Sequence, residues 1–274
     1  MGKFQRVPQI KDAYDYVEKH PWDMEVKPFR CAPHVWYVSG NEFVGAYIID
    51  TGDGLILLDT YEQHALYQLT EGIRDAGFDP HDIKIILLSH GHQDHCGGMR
   101  AMQALTGAKS YMSKEDYEIK QAHPERVLFA GGTDFDVDAF YSDDTPIQLG
   151  HMTIHTRLTP GHTPGTTSFW FDDTDEETGK TYRCAMHGGA GTPFMMTKLL
   201  NEYGYPLSLK QRFIDDCREM AQWDVDICIA SHHNFSNFFS NINQEDRSDY
   251  TGFVDQSIWR EFMLERAADA EKLP

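Results

Sequence analysis

The chain has 274 residues, enough for a large core, and its 24 basic and 43 acidic residues give a net charge of −19. Such a charge repels nucleic-acid backbones, which disfavours enzymes that cleave RNA or DNA. Its five scattered cysteines suggest no disulfide framework, and no stretch is apolar over the length of a membrane span.

The first ten residues lack the apolar core of a signal peptide, so a cytoplasmic location is expected, with export the alternative if a leader precedes them. Residues 10–19 read as a helix, followed by strands around 35–38 and 43–50. Thr51-Gly-Asp-Gly is a turn on chemical grounds, since glycine supplies the positive φ of tight hairpins. A strand over 55–59 ends on Asp59, and helical periodicity runs over 64–76. The apolar run 83–89 reads as a buried strand, with helices after it at 98–106 and 114–121. Residues 123–143, with Phe129, Phe135, Phe140 and Tyr141, form a long aromatic and glycine-bearing segment of the kind used as a lid. Strands follow at 152–159, 166–171 and 181–186. Between the last two, Asp172, Asp173, Asp175, Glu176 and Glu177 read as a solvated hairpin loop, with a calcium site the lesser alternative. A helix at 207–222, a strand at 225–230 and a helix at 255–270 close the chain. The phenylalanines of Asn234-Phe-Ser-Asn-Phe-Phe line a pocket on one reading and pack beneath its rim on the other.

Chemistry concentrates in Ser89-His-Gly-His-Gln-Asp-His-Cys-Gly-Gly. His90, His92, Asp94 and His95 stand at the carboxyl end of a core strand. With an extended backbone, the two-residue spacing points His90 and His92 to one side, and Asp94 and His95 turn toward a second position. Imidazoles with one carboxylate suit zinc, ahead of iron or manganese. Two further strands also end in histidine. In Leu158-Thr-Pro-Gly-His-Thr-Pro-Gly, Pro-Gly pairs brace His162 on both sides, and Ile229-Ala-Ser-His-His carries His232 and His233.

With these pieces the chain resembles the metallo-β-lactamase superfamily, most closely its B3 subgroup. The similarity extends to Val35-Trp-Tyr-Val-Ser-Gly, to the hairpin Tyr47–Thr60 and to the closing helix. It implies a four-layer αββα sandwich, one domain over residues 1–274, and two zinc ions per chain. By similarity His90, His92 and His162 would hold one zinc and Asp94, His95 and His232 the other, with His232 preferred to His233. Asp59 would be a hydrogen-bond partner of a ligand histidine. Zinc lowers the pKa of bound water to about 7, so the implied reaction is attack of hydroxide on a cyclic amide (a β-lactam) or a lactone, with Asp94 orienting the nucleophile.

One departure stands out. Where the family usually places Cys, Asp or Ser after the strand 181–186, this chain has His187-Gly-Gly-Ala-Gly-Thr. Gly188 and Gly189 offer no side chain, which puts efficient β-lactam turnover in question; a serine at 189 is expected to restore a contact. His187, Thr192 and Asn234 are the candidate substrate contacts. Thioester hydrolysis is disfavoured because its bridging Asp is missing near Gly188, phosphodiester hydrolysis because of the acidic charge, and a non-enzymatic binding protein because the ligand set is intact. The expected partner is a small-molecule substrate, with no nucleic acid or membrane, and a monomer is compatible with the sequence.

Overall fold

Strands that are apolar on both faces must be covered on both faces, and this rule organises the chain into four layers. The computed structural model describes residues 20–124, 134–232 and 238–274. The helix expected over 10–19, the candidate contact Asn234, the alternative ligand His233 and Phe129 lie outside the described residues.

The first sheet holds seven strands in sequence order: β1 (Phe29–Ala32), β2 (Val35–Tyr37), β3 (Tyr47–Asp50), β4 (Leu55–Leu58), β5 (Ile83–Leu87), β6 (Lys109–Met112) and β7 (Ala139–Phe140). It is antiparallel from β1 to β4 and parallel from β4 to β7. Five strands form the second sheet in the order β12-β11-β10-β9-β8: β8 (Ile147–Leu149), β9 (Met152–Leu158), β10 (Thr167–Asp175), β11 (Lys180–Met186) and β12 (Ile227–Ile229). Only β11 and β12 pair parallel there.

Alternation divides the core into three. Ile49, Ile56 and Leu58 meet Phe169, Phe171 and Met186 between the sheets. Ile48, Leu57 and Ile86 face the other way, toward Leu69 and Ile73 of α1 (Leu66–Asp75) and Met99 and Met102 of α3 (Met99–Thr106). Cys228 and Ala185 face Phe213 and Cys217 of α6 (Ser208–Met220) and Trp259 and Met263 of α7 (Gln256–Glu271). Each of the buried Ile, Leu, Phe and Met side chains among them stabilises the fold by about 1.5–3 kcal/mol on burial. Three further helices, α2 (Gln93–Cys96), α4 (Lys114–Ala122) and α5 (Thr197–Tyr203), follow strand ends or the glycine-rich loop. No helix among the described residues is long and apolar enough to cross a membrane.

One expectation changes and one open choice is decided. The acidic run is not a loop throughout, because β10 continues to Asp175 with Asp172 opposite Arg183 and Asp173 opposite Tyr182. Asp173 shares the inward face of Phe169 and Phe171 and is fully buried. Phe238 and Phe239 do not line a pocket: both are buried against Phe29 and Tyr37. In the segment 123–143, Phe135 is buried in the core, and the Tyr141 hydroxyl donates to the carbonyls of Leu88 and Tyr111. All five cysteines are free and buried, so Cys217 and Cys228 are unpaired.

Candidate metal centre

Every strand end expected to deliver a ligand opens onto the same place. The His90, His92 and His162 rings form a near-equilateral triangle, with centroids 4.8 Å, 4.7 Å and 4.6 Å apart. His95 lies 4.0 Å from His90, ring to ring, and 5.0 Å from His232. Asp94 Oδ2 completes the second group, 3.5 Å from His95 Nε2 and 3.2 Å from His232 Nε2. Ligand atoms of His90, His92 and His162, and those of His90, Asp94 and His95, converge closely enough to hold an ion.

Hydrogen bonds fix the other ring nitrogens. His162 Nδ1 donates to the Gly191 carbonyl at 2.8 Å, and His232 Nδ1 to the Phe43 carbonyl at 3.1 Å. The Nδ1 of His95 meets Asp59 Oδ2 at 2.7 Å, and that of His90 meets Ser89 Oγ at 3.1 Å. In each ring Nε2 is left facing the cluster, the arrangement that orients a histidine ligand and sets its tautomer. His92 alone is reversed, with Nδ1 buried and unpartnered.

The donor set fits a cation. His90 Nε2 and His92 Nδ1 are buried and have no hydrogen-bond partner, a costly state for a nitrogen removed from water. His95 Nε2 and His232 Nε2 lie 3.0 Å apart with the Asp94 carboxylate beside them. Burial pushes His92 down to about 4 and, with neighbouring imidazoles, holds His90 and His162 well below the ordinary range. These rings are therefore neutral and able to donate lone pairs. Burial opposes charge on both members of the Asp94–His95 pair. Nevertheless His95, with His232, holds Asp94 well below the carboxylate range, and Asp94 with Asp59 pushes His95 up to about 10. The second pole thus draws positive charge to itself.

Asp59 is where the expectation put it, fully buried, and its backbone is left-handed at φ 61°. Three bonds hold this unfavourable conformation: its carboxylate accepts from Ser89 N (2.7 Å), Ser89 Oγ (2.7 Å) and His95 Nδ1 (2.7 Å). Asp116, which sequence reasoning missed, ties the two metal loops together. Its oxygens accept from Gly91 N at 2.8 Å, Thr163 Oγ1 at 2.7 Å and Gly165 N at 2.7 Å. Burial raises it to about 6 against those three donors. In the sequence it reads as an ordinary first-turn acid behind the Ser113 cap.

The glycine patch has a steric reason. A Cβ at Gly188 would lie 2.0 Å from the Thr167 carbonyl oxygen, and one at Gly189 would lie 2.7 Å from His162 Cδ2. The serine expected to help at 189 therefore has no room. His187 is not brought to the cluster: its ring is buried against Phe213, accepts from Gly189 N at 3.2 Å, and is pushed down to about 3 by burial and Arg266. Thr192 is buried at the start of the turn Pro193–Met195, its carbonyl accepting from Met195 N. The loop residue that does lie on the histidines is Phe194, 4.9 Å from both His92 and His162. A phenylalanine three residues beyond a glycine patch gives no sequence signal of that contact.

The Metallo-beta-lactamase superfamily model matches residues 39–175, the span carrying Asp59, the His90–His95 loop and His162. This chain belongs to that superfamily. Among solved structures, the metallo-beta-lactamase GOB-18 from Elizabethkingia meningoseptica is 26% identical with a TM-score of 0.79, over 91% of this chain and 93% of its own. The class B3 di-zinc metallo-beta-lactamase LRA-12 from an Alaskan soil metagenome is 25% identical with a TM-score of 0.78, over 92% and 95%. Sequence relatives are more varied. A probable metallo-hydrolase, YybB of Bacillus subtilis, is 26% identical over 57% of this chain and 64% of its own length. The N-acyl homoserine lactonase AttM of Agrobacterium fabrum is 35% identical over 35% and 39%, and a hydroxyacylglutathione hydrolase of Shewanella loihica 28% identical over 51% and 44%. The chain thus spans from 39% to 64% of the length of these three relatives.

Proposed function

We propose that the chain is a dinuclear zinc hydrolase of the B3 type that opens a cyclic amide, with modest efficiency toward β-lactams. His90, His92 and His162 would hold one ion, and Asp94, His95 and His232 the other. The observation that carries this reading is the convergence of both ligand groups, with buried unpartnered nitrogens, beneath a loop closed to any side chain at 188 and 189. A carboxylate at either position is sterically barred, which weighs against the bridging-Asp arrangement of thioester hydrolases. The partial sequence matches to a lactonase and a hydroxyacylglutathione hydrolase therefore support the metal loops more than the substrate.

Zinc bound there supplies an activated water at neutral pH and polarises the substrate carbonyl. The chain's own groups do the rest. Asp94 is ionised and accepts a hydrogen bond from the attacking water, fixing its direction. Asp59, Gly191 and Phe43 hold three imidazoles at fixed angles, so no reorganisation is needed as charge develops. Phe194 offers an apolar face beside His92 and His162, suited to a ring substituent of the substrate. Water's oxygen bonds to the carbonyl carbon, the ring C–N bond breaks, and the nitrogen takes up the proton.

The test is a kcat/KM comparison for nitrocefin, a penicillin, a carbapenem, a lactone series and a thioester on zinc-loaded protein. Measurable β-lactam opening that disappears in His92→Ala and Asp94→Ala is expected. A thioester or lactone turned over with no β-lactam opening at all would overturn the cyclic-amide reading.

A further inference from the structure

Along β10 the chain leaves the metal centre, where Thr167 N donates to the Ser89 carbonyl, and reaches Asp173 six residues on. At a strand rise of about 3.3 Å per residue, this is roughly 20 Å away, at the opposite end of the sandwich. A second histidine cluster gathers there. His34 sits in the turn between β1 and β2, His151 between β8 and β9, and Glu176 just past β10. The His34 and His151 rings lie 4.6 Å apart, and Glu176 Oε2 is 3.2 Å from His34 Nε2. One ligand atom from each of the three residues falls within 4.8 Å of the others.

The decisive feature is the fully buried Asp173. Its Oδ1 takes His34 Nδ1 at 2.6 Å, and its Oδ2 accepts the His34 backbone N–H at 2.8 Å. A carboxylate buried solely to support an exposed-cluster histidine is expensive, and burial does raise it from the usual carboxylate range. What the bond accomplishes is to lock the ring and its tautomer, leaving Nε2 directed at Glu176 and His151. Carboxylate, histidine and open ligand position in line is the arrangement that orients histidines for metals. The adjoining cleft, about 250 Å³, is lined by Asp50, Asp175, Glu176 and Glu177 against one basic side chain, Arg30. Arg30 is itself engaged by the Ser248 carbonyl and the Tyr250 ring.

We propose that His34, His151 and Glu176 form a peripheral site for a divalent transition metal of the zinc class, with Asp173 orienting His34. Two imidazoles and a carboxylate match the donor preference of such ions, and the fourth position is left to water. The ion would join a turn of the first sheet to two turns of the second, so its role is to staple the sheets at the end remote from catalysis. Two of its three ligands, His151 and Glu176, are solvent-exposed, so the ion is held less firmly than at the buried central cluster.

The proposal is independent of the function assigned to the central site, because its test is a difference. Wild-type protein and the His151→Ala/Glu176→Gln variant, which is altered only at exposed side chains, are equilibrated with micromolar free zinc and analysed for metal per chain. Wild type is expected to hold one zinc more than the variant, and to gain a few degrees of Tm on zinc addition that the variant lacks. Hydrolytic rate should be the same in both. With the central ligands kept loaded with zinc, copper(II) added in equimolar amount and followed by its electron paramagnetic resonance should show a nitrogen-coordinated species that the variant lacks. Equal zinc content and equal Tm response in the two proteins would overturn the site and leave His34, Asp173 and Glu176 as an ion-pair network only.

Discussion

At the scale of single residues, the most informative positions are those whose side-chain space is already taken. Gly189 faces His162 Cδ2 at 2.7 Å from where a Cβ would stand. Gly189→Ser should therefore push a ligand ring aside. Overpacking of this kind costs about 1–3 kcal/mol, and a displacement approaching 1 Å in a reactive site costs on the order of 100-fold in rate. Steady-state kinetics and zinc content measured on the purified variant check this, and an active variant with full metal would refute it. Asp59→Asn tests the opposite kind of residue, one that acts through His95. The amide keeps the shape but replaces an acceptor with a donor, either at the oxygen that takes Ser89 N or at the one that takes both Ser89 Oγ and His95 Nδ1. Loss of roughly 10–100-fold in affinity for one zinc is expected, read by competition with a chelating indicator. Both predictions concern groups that touch a candidate ligand rather than the substrate.

At the scale of elements, the candidate ligand loops were legible because each follows a strand with a recognisable pattern. Ile83–Leu87 and Ile227–Ile229 are apolar and almost wholly buried, Met152–Leu158 alternates between buried and half-buried residues, and their ends lead to His90, His232 and His162. Legibility fails where a polar residue is buried by its position in an element. Asp173 reads as one more charge in an acidic run, yet it lies two residues beyond Phe171 on the inward face of β10. Asp116 reads as a capping acid on α4, yet it holds Gly91 and Gly165 from the two metal loops. Phe238 and Phe239 were equally compatible with rim and core, and only their tilted and edge-on contacts with Phe29 and Tyr37 decide for the core. Asp116→Ala follows from this scale. It takes the acceptor from three buried donors, which costs about 3 kcal/mol or more at the usual ~1–3 kcal/mol for each such group. Urea denaturation should show that loss, together with weaker metal retention because both loops are released at once.

At the scale of the molecule, the six candidate ligands come from the ends of both sheets: His90, His92, Asp94 and His95 from the first, His162 and His232 from the second. Metal at that place would cross-link the two sheets as well as serve chemistry. A ligand that binds only the folded chain stabilises it by RT ln(1 + [L]/Kd), about 2.7 kcal/mol at a hundredfold excess over Kd. For a chain of this size each kcal/mol moves Tm by roughly 2–4 °C. Removal of zinc with a chelator should therefore lower Tm by about 5–10 °C. The peripheral cluster at the other end contributes a smaller part of that loss. Repeating the melt in His151→Ala/Glu176→Gln isolates the central share, because that variant keeps all six central ligands. In His92→Ala the pattern should reverse, with the large share lost and the small one kept. A chelator that leaves Tm unchanged in wild type would show that neither end of the sandwich depends on metal, and would remove the stapling role from both.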